Sequence, residues 1–248
     1  TNVDNISNNI ANVNTTAFKS QKTEFKSLLY QTIQTRTTSA NGEEKPIGAQ
    51  VGLGTRVASN TTRYTQGALL EDESKSAFAI EGNGFFQVRG ADGTTYYTRN
   101  GNFNWSIGPT GTTLTNTDGY PVLDSNGNTI VLPNNVNSGK AVVTTDGQVG
   151  YYNNAGAYVS MNRTIGLSQF NNPAGLEKAG SNLLRATNAS GAALNEATNA
   201  NLTRSKIHQG YLEGSNVQVA DEMVNLIVAQ RAYQLNSKAI TTSDDMLE

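Results

Sequence analysis

Residue types that carry chemistry are absent or scarce in this chain of 248 residues, which has no cysteine and a single histidine. Without cysteine the chain cannot form disulfides, bind zinc through thiolates or use a thiol nucleophile. Charged residues make up only 15% of the sequence, and the net charge is −2. Because Lys and Arg also form no cluster, we predict that neither nucleic acid nor an acidic membrane surface is a partner.

Long apolar runs are missing too. None approaches the ~20 residues of a membrane span, and no basic and apolar signal peptide opens the chain. We therefore predict no membrane insertion. The length fits one or two domains with a substantial core. The chain opens without an initiator Met and inside a helical pattern, so we expect a trimmed fragment, with any export signal outside it.

The segment from Asn216 to Glu248 carries apolar residues on two faces of a predicted helix. One seam follows a seven-residue repeat and consists of Val219, Met223, Leu226, Tyr233, Ile240 and Leu247. A second seam lies on roughly the opposite side and consists of Val228, Ala232, Leu235, Ala239 and Met246. A helix that covers one core needs one apolar stripe. Two opposed seams instead predict a helix wedged between two neighbours in an assembly. One wide apolar face of a buried helix is the alternative.

The start of the chain predicts a short helix with a polar companion face. Its apolar seam consists of Val3, Ile6, Ile10 and Val13, and the polar positions beside it are Asn5, Asn8, Asn9 and Asn12. Asn is unfavourable inside helices because its amide competes for the backbone. We therefore expect these side chains to bind another element, or the helix to end nearby. A second short helical stretch, capped by Thr15 or Thr16, is predicted through Phe18, Phe25, Leu28 and Leu29.

The rest of the chain is predicted to be a connector followed by strands and turns. Residues 35–54 are rich in Thr, Ser, Gly and Pro and predict an extended or flexible connector. Residues 55–210 predict a central antiparallel β-rich domain, with alternation in "SAFAIEG" and "GFFQVRG". The predicted hairpin turns are Asp92-Gly93, Asn100-Gly101, Asp118-Gly119, Asn126-Gly127 and Asp146-Gly147. Residues 180–201 are small and polar and predict a surface loop.

Candidate catalytic and metal-binding groups are few. His208 is the one residue that a Ser-His-Asp arrangement could use, and it is better explained as structural or exposed. No pair of acids is singled out for glycoside hydrolysis, and no calcium loop or phosphate loop has the required spacing. We predict no enzyme activity, no cofactor and no metal site. Two other hypotheses remain open: a secreted hydrolase, and a carbohydrate-binding β domain using Tyr97, Tyr151, Tyr152 and Tyr158.

Four segments resemble the bacterial flagellar rod and hook axial proteins. They are "NISNNIANVNTTAFK" at 5–19, "AIEGNGFFQV" at 79–88, "YTRNGNF" at 97–103 and "QGYLEGSNVQVADEMVNLIVAQRAYQLNSKAI" at 209–240. The run "LYQT" at 29–32, "GLGTRV" at 52–57 and "KAITTSDDML" at 238–247 are most similar to the distal-rod branch, with proximal-rod or hook-type proteins as the alternative. Ala17 stands where the family usually has Gly. Ala is strained there by roughly 1 kcal/mol if the backbone is left-handed and favourable if it is helical.

The resemblance implies a mainly β fold with terminal α-helices. The terminal helices, within 1–34 and 211–248, pair as an inner domain around a central export channel, and 55–210 forms the outer domain. It also implies a non-enzymatic subunit of a straight, torque-transmitting rod in the periplasm, exported by the flagellar type III apparatus without a cleaved signal peptide. The implied partners are further copies of the chain, the proximal rod proteins, the hook protein and the surrounding ring proteins. The connector is the segment that the resemblance associates with straightness, and both terminal helices are expected to be shortened here.

Overall fold

The computed structural model describes residues 1–34, 49–108, 111–134, 136–153 and 155–246. The chain is mainly β, with one helix at each end. The helices are α1 (Asn2–Ala11) and α2 (Val219–Asp245). The strands are β1 (Gln21–Ser27), β2 (Tyr30–Gln34), β3 (Ala49–Gly52), β4 (Thr55–Thr62), β5 (Leu69–Glu71), β6 (Phe78–Glu81), β7 (Phe85–Arg89), β8 (Thr95–Thr98), β9 (Asn104–Gly108), β10 (Gly111–Thr115), β11 (Val131–Leu132), β12 (Ala141–Val143), β13 (Gln148–Tyr152), β14 (Tyr158–Thr164), β15 (Leu167–Gln169), β16 (Glu177–Gly180), β17 (Leu183–Arg185), β18 (Leu194–Asn195), β19 (Lys206–Gln209) and β20 (Tyr211–Glu213).

Every strand pair in the described part of the chain is antiparallel, as predicted. The largest sheet has the order β16-β17-β8-β7-β15-β18, and two three-stranded sheets are β11-β10-β9 and β12-β13-β14. The returning chain closes this β body by pairing β19 with β6 and β20 with β5. Strand β20 therefore brings the start of α2 back beside the beginning of the β body.

Alternation along β7 sends neighbouring side chains to opposite faces of the sheet. Phe86 and Val88 join Phe78 and Ile80 in the main core, which confirms the predicted alternation in these strands. Phe85 faces the other way and packs in a second cluster with Tyr97, Phe170, Leu176 and Leu184. The β body thus has apolar clusters on both sides of its central sheet.

The prediction of a second helix through Phe18 to Leu29 was wrong. Residues 21–34 form β1 and β2, which pair with β4 and β3 in one long two-stranded ribbon. The helical spacing of Phe18, Phe25, Leu28 and Leu29 does not decide the local structure here, because the backbone of β1 pairs with β4, more distant in the chain. Of the predicted N-terminal helical segment 1–34, only Asn2–Ala11 is α-helical. Of the predicted connector, residues 35–48 lie outside the described residues, and β3 follows them.

Two further boundaries differ from expectation. The predicted C-terminal helix, 211–248, begins only at Val219, because Tyr211–Glu213 pair as β20 and the Asn216 side chain binds backbone at Ser20, Arg63 and Thr65. Residues 180–201 are more than a surface loop, because they supply β17 and β18 and bury Leu183, Leu184 and Glu196. Strands β17 and β18 have only three and two residues, which is too few to show an apolar and polar alternation within this polar segment.

Candidate assembly surface and its buried joint

Helix α2 is the main uncovered apolar surface of the described chain. It has 27 residues, which corresponds to about 40 Å, and none of its side chains is buried. Tyr233, Leu235 and Ile240 are 75%, 68% and 71% exposed. Such exposure of large apolar side chains along one element marks an interaction surface. No helix in the described ranges combines the length and the apolarity that crossing a membrane requires.

The two predicted seams of α2 are nearly all exposed. Within the first seam Leu226 is half-buried, and the exposed members are Val219, Met223, Tyr233 and Ile240; Leu247 lies outside the described residues. All members of the second seam are exposed: Val228, Ala232, Leu235, Ala239 and Met246. Ala229, which lies beside this seam, is half-buried. The side of α2 that the rest of the chain covers follows Glu222, Leu226 and Ala229, at spacings of four and three. The assembly role of both seams stays a prediction.

Helix α1 lies against the first turns of α2 and against β1. Ile6 and Asn9 are buried, while Val3, Ile10, Asn12 and Val13 are half-buried. Between the two helices and β1 is a groove of about 530 Å³ lined by Ile6, Phe25, Val228, Ala229 and Ala232 among others. The two helices are therefore in contact near the start of α2, and α2 runs on uncovered beyond that contact.

The Asn-rich face of α1 binds another element, as one of the two predictions had it. Asn9 is 1% exposed, and its amide Nδ2 donates to the Gln21 carbonyl at 2.9 Å while its Oδ1 accepts from the Gln21 N–H at 3.0 Å. The same Nδ2 reaches Glu222 Oε1 at 3.2 Å, which links α1, β1 and α2. Asn5 donates to Thr23 Oγ1 at 2.6 Å. Asn12 binds the Asn8 carbonyl of its own helix instead.

A buried ionic cluster joins both chain ends to the β body. Glu213, at the end of β20, is completely buried and accepts from Lys19 Nζ at 2.6 Å and from Arg99 Nε at 3.0 Å. Arg99 Nη2 and the Gly67 N–H also donate to Oε1, at 3.2 and 3.0 Å. Lys19 donates further to the Thr65 carbonyl. Sequence reasoning missed this cluster, because the three charged residues lie far apart along the chain and no local pattern connects them.

The charges of this cluster shift each other's protonation. Burial by itself raises the pKa of Glu213, but Arg99 and Lys19 outweigh it and leave that pKa below its ordinary value. Burial is the main reason that the pKa of Lys19 is lowered, and Glu213 opposes the shift. The Arg99 guanidinium lies 5.6 Å from the centre of the Phe85 ring and donates to the carbonyls of Gly82 and Gly84. The two cations therefore hold the Glu213 carboxylate in its ionised form.

Ala17 takes the left-handed conformation that the sequence left open. Its φ is 57°, a region in which L-residues other than Gly are strained. Its N–H donates to the Glu213 carbonyl at 2.7 Å, so the turn is fixed by the same strand that carries the buried carboxylate. The strained turn and the ionic cluster together attach the segment after α1 to β20.

The ribbon of β1 to β4 carries a second group of exposed apolar side chains. The largest exposures belong to Leu29, Ile33 and Tyr30, and Phe25, Val51, Leu53 and Val57 are also exposed. Sequence reasoning missed this surface because it predicted a helix here. Alternation of apolar with polar residues in "EFKSLLYQTI" is too irregular to show a ribbon.

The residues of the two alternative hypotheses are placed elsewhere. His208 Nε2 lies 2.8 Å from Glu81 Oε2 in the neighbouring strand. Tyr97 packs in the second core cluster and Tyr151 is half-buried, while Tyr152 and Tyr158 contact each other edge to face. The four tyrosines therefore do not form one carbohydrate-stacking face. Among the described residues no group of three or more Asp, Glu or His side chains has a geometry that could hold a metal ion.

The buried charges join both chain ends to the β body, and α2 extends from it as a long uncovered helix. These features are those of a structural subunit that assembles with other subunits.

Comparison with known protein families identifies two matching segments. Residues 208–248 match a family described as flagellar basal body rod FlgEFG protein C-terminal, and residues 79–151 match one described as flagellar hook protein FlgE/F/G D1 domain.

Full-length relatives extend the match to the whole chain. The flagellar basal-body rod protein FlgG of Buchnera aphidicola (strain APS) is 39% identical over 100% of this chain and 92% of its own length. FlgG of Borreliella burgdorferi is 39% identical, covering 99% and 90%, and FlgG of Bacillus subtilis is 38% identical, covering 100% and 91%. The chain belongs to the flagellar basal-body rod protein family. These relatives support the rod prediction and not the hook-type or carbohydrate-binding alternatives.

Proposed function

We propose that this chain is a structural subunit of the flagellar distal rod, which self-assembles into a straight hollow drive shaft. The observation that carries the proposal is full-length similarity to FlgG rod proteins, together with the uncovered apolar surface of α2. The shaft transmits motor torque to the hook, and export substrates pass through its channel. The protein is placed at the flagellar basal body, where the rod spans the periplasm.

The inner wall of this shaft is assigned to the two terminal helices. The contact of α1 with the first turns of α2 supports their pairing as an inner domain. The described β body, within residues 55–210, then forms the outer domain. Because α1 contacts only the first turns of α2, the exposed residues beyond them, including Tyr233, Leu235 and Ile240, are left for neighbouring subunits.

Apolar burial is the driving force for subunit addition. Fully covering a Tyr, Leu or Ile side chain contributes about 1.5–3 kcal/mol. Tyr233, Leu235 and Ile240 together therefore offer roughly 5 kcal/mol per subunit before the costs of association are subtracted. Heterologous contacts whose rotation does not close on itself build a filament instead of a ring.

The finer parts of the proposal follow the family. The partners are other copies of the chain, the proximal rod proteins, the hook protein and the surrounding rings. Export uses the flagellar type III apparatus without a cleaved signal peptide. The function is mechanical and involves no catalysis. The segment at 35–54 sets the straightness of the rod. The exposed ribbon supports this assignment, because β2 leads into that segment and β3 lies within it, and the two strands present Tyr30, Ile33 and Val51 to solvent.

Electron microscopy of the full-length protein under polymerising conditions tests the proposal. The expected product is a straight tube. Leu235→Asp should abolish tube formation because it places a charge in the apolar seam, while Ser237→Asp, at an exposed polar position of the same helix, should leave tubes intact. Curved tubes would favour a hook-type subunit, and a protein that stays monodisperse would contradict an assembly function.

A further inference from the structure

The ionic cluster brings together three parts of the chain that are remote in sequence. Lys19 follows α1, Arg99 belongs to the β body after β8, and Glu213 precedes α2. Lys19 and Glu213 are separated by 194 residues, and Arg99 and Glu213 by 114. Exposure of each of these side chains is 5% or less. The cluster is therefore the point at which both chain ends meet the β body out of contact with water.

The two cations share one carboxylate oxygen. Lys19 Nζ is 2.6 Å and Arg99 Nη2 is 3.2 Å from Glu213 Oε1, so the two nitrogens are at most about 6 Å apart. Without the carboxylate, docking the N-terminal segment would bury a second cation beside the first. Like charges in a buried site repel strongly, and salt screens them much less than it screens exposed charges. Docking Glu213 without Lys19 would in turn remove a charged partner from a buried carboxylate.

We propose that Glu213 is a latch that makes the docking of the two chain ends on the β body depend on each other. Lys19 and Arg99 can lie side by side only when Glu213 arrives, and Glu213 finds its full set of donors only when Lys19 is in place. For the proposed rod function, on which this consequence rests, a subunit would present α1 and α2 in their assembly arrangement only after its C-terminal segment has docked.

Several neutral contacts would remain if the charge alone were removed. The Ala17 N–H still reaches the Glu213 backbone carbonyl, and Asn216 still binds the backbone of Ser20 and Arg63. Glu213→Gln keeps the size of the side chain and these contacts. The variant therefore separates the charge of the latch from the packing around it.

The experiment uses amide hydrogen exchange on the monomeric full chain. Glu213→Gln should speed the exchange of peptides covering residues 12–20 and 66–68 at least tenfold, while the core strands at 78–88 keep their protection. The matched control is Glu71→Gln, because Glu71 is exposed on β5 and faces Tyr211 of β20 in the same strand pair. The control should leave exchange unchanged. Equal acceleration at 78–88, or no acceleration at 12–20, would contradict the latch.

A Lys19→Met substitution in both backgrounds gives the sharper readout. In the parent chain it should lower the urea midpoint, because Lys19 loses Glu213 and the Thr65 carbonyl. In the Glu213→Gln background it should raise the midpoint, because it removes one of two repelling cations. The same downward shift in both backgrounds would overturn the proposal. If Glu213→Gln alone does not fold, recovery of the fold in the double variant supports the latch, and failure to recover contradicts it.

This test is read on monomers and is therefore independent of assembly. A parent chain that never forms tubes would refute the rod function and leave the exchange result valid. Absence of coupling between Lys19 and Glu213 would refute the latch and leave tube formation as the test of the rod.

Discussion

Replacing Asn9 by Ala should detach α1 from β1 and α2. The side-chain amide of Asn9 makes three hydrogen bonds. It donates to the Gln21 carbonyl and to Glu222 Oε1, and it accepts from the Gln21 N–H. Losing a buried partner costs about 1–3 kcal/mol per group. Because Gln21 is only half-buried, we take about 1 kcal/mol, the lower limit of that range, for its N–H and for its carbonyl. Glu222 is half-buried, so water can replace the hydrogen bond that it loses. The expected loss is about 2–3 kcal/mol.

Helix propensity acts in the opposite direction and must be subtracted. Ala is more favourable than Asn in a helix by about 0.6 kcal/mol. The net loss of docking free energy is therefore about 2 kcal/mol, which corresponds to about thirtyfold faster opening. Amide hydrogen exchange of residues 6–11 measures this opening directly.

Asn8→Ala provides the matched control, since Asn8 is the neighbouring residue of the same helix and its side chain is exposed. It receives the same gain in propensity and loses none of the contacts to β1. Exchange at residues 6–11 should stay unchanged or become slower. Equal exchange rates in the Asn9 and Asn8 variants would refute the conclusion that the Asn9 amide holds α1 in place.

Three other predictions concern the turn, the buried carboxylate and α2. Ala17→Gly should raise the free energy of unfolding by about 0.5–1 kcal/mol, because it relieves a left-handed alanine; a lower free energy of unfolding would contradict that strain. The folded pKa of Glu213 is below its unfolded pKa, so its charge stabilises fully above about pH 4.3, and this stabilisation is lost as pH falls through the folded pKa. Stability curves of the parent and Glu213→Gln should thus converge in acid, and a constant gap would contradict the assignment. Leu226→Asp should speed exchange in α1 of the monomer, whereas Leu235→Asp should not, because Leu226 alone of the two is partly covered; equal effects would contradict this placement of α2.

Local patterns in the sequence predict much of the β body. The turns at Gly93, Gly119, Gly127 and Gly147 all have positive φ, which is the reason that Asp-Gly and Asn-Gly pairs indicate hairpins. Strand β13, Gln148–Tyr152, begins directly after the predicted turn at Asp146-Gly147. Gly101 is needed for a different reason, since a Cβ there would lie 1.7 Å from the Phe78 carbonyl oxygen. These features depend on neighbouring residues and on the apolar pattern, which a sequence displays directly.

The joint and the ribbon depend on partners that are distant in the chain. Strand β1 pairs with β4, which follows it only after β2 and β3. Because most side chains of β1 are exposed, its sequence does not alternate regularly between apolar and polar residues. Glu213 looks like an ordinary acid before a helix until the fold places Lys19 and Arg99 against it. The sequence of α2 shows two apolar seams, but it does not show that α1 contacts only the first turns of this helix. Long-range pairing of charges and polar backbone is therefore the information that local patterns lack.

The central claim is that the outer turns of α2 are an assembly surface that only neighbouring subunits cover. Amide hydrogen exchange of residues 230–246, compared between monomer and polymer of the full-length protein, tests it most directly. Since an uncovered helix is only marginally stable in water, these amides should exchange fast in the monomer and at least a hundredfold more slowly in the polymer. Strong protection already present in the monomer, or fast exchange that persists in the polymer, would contradict the account.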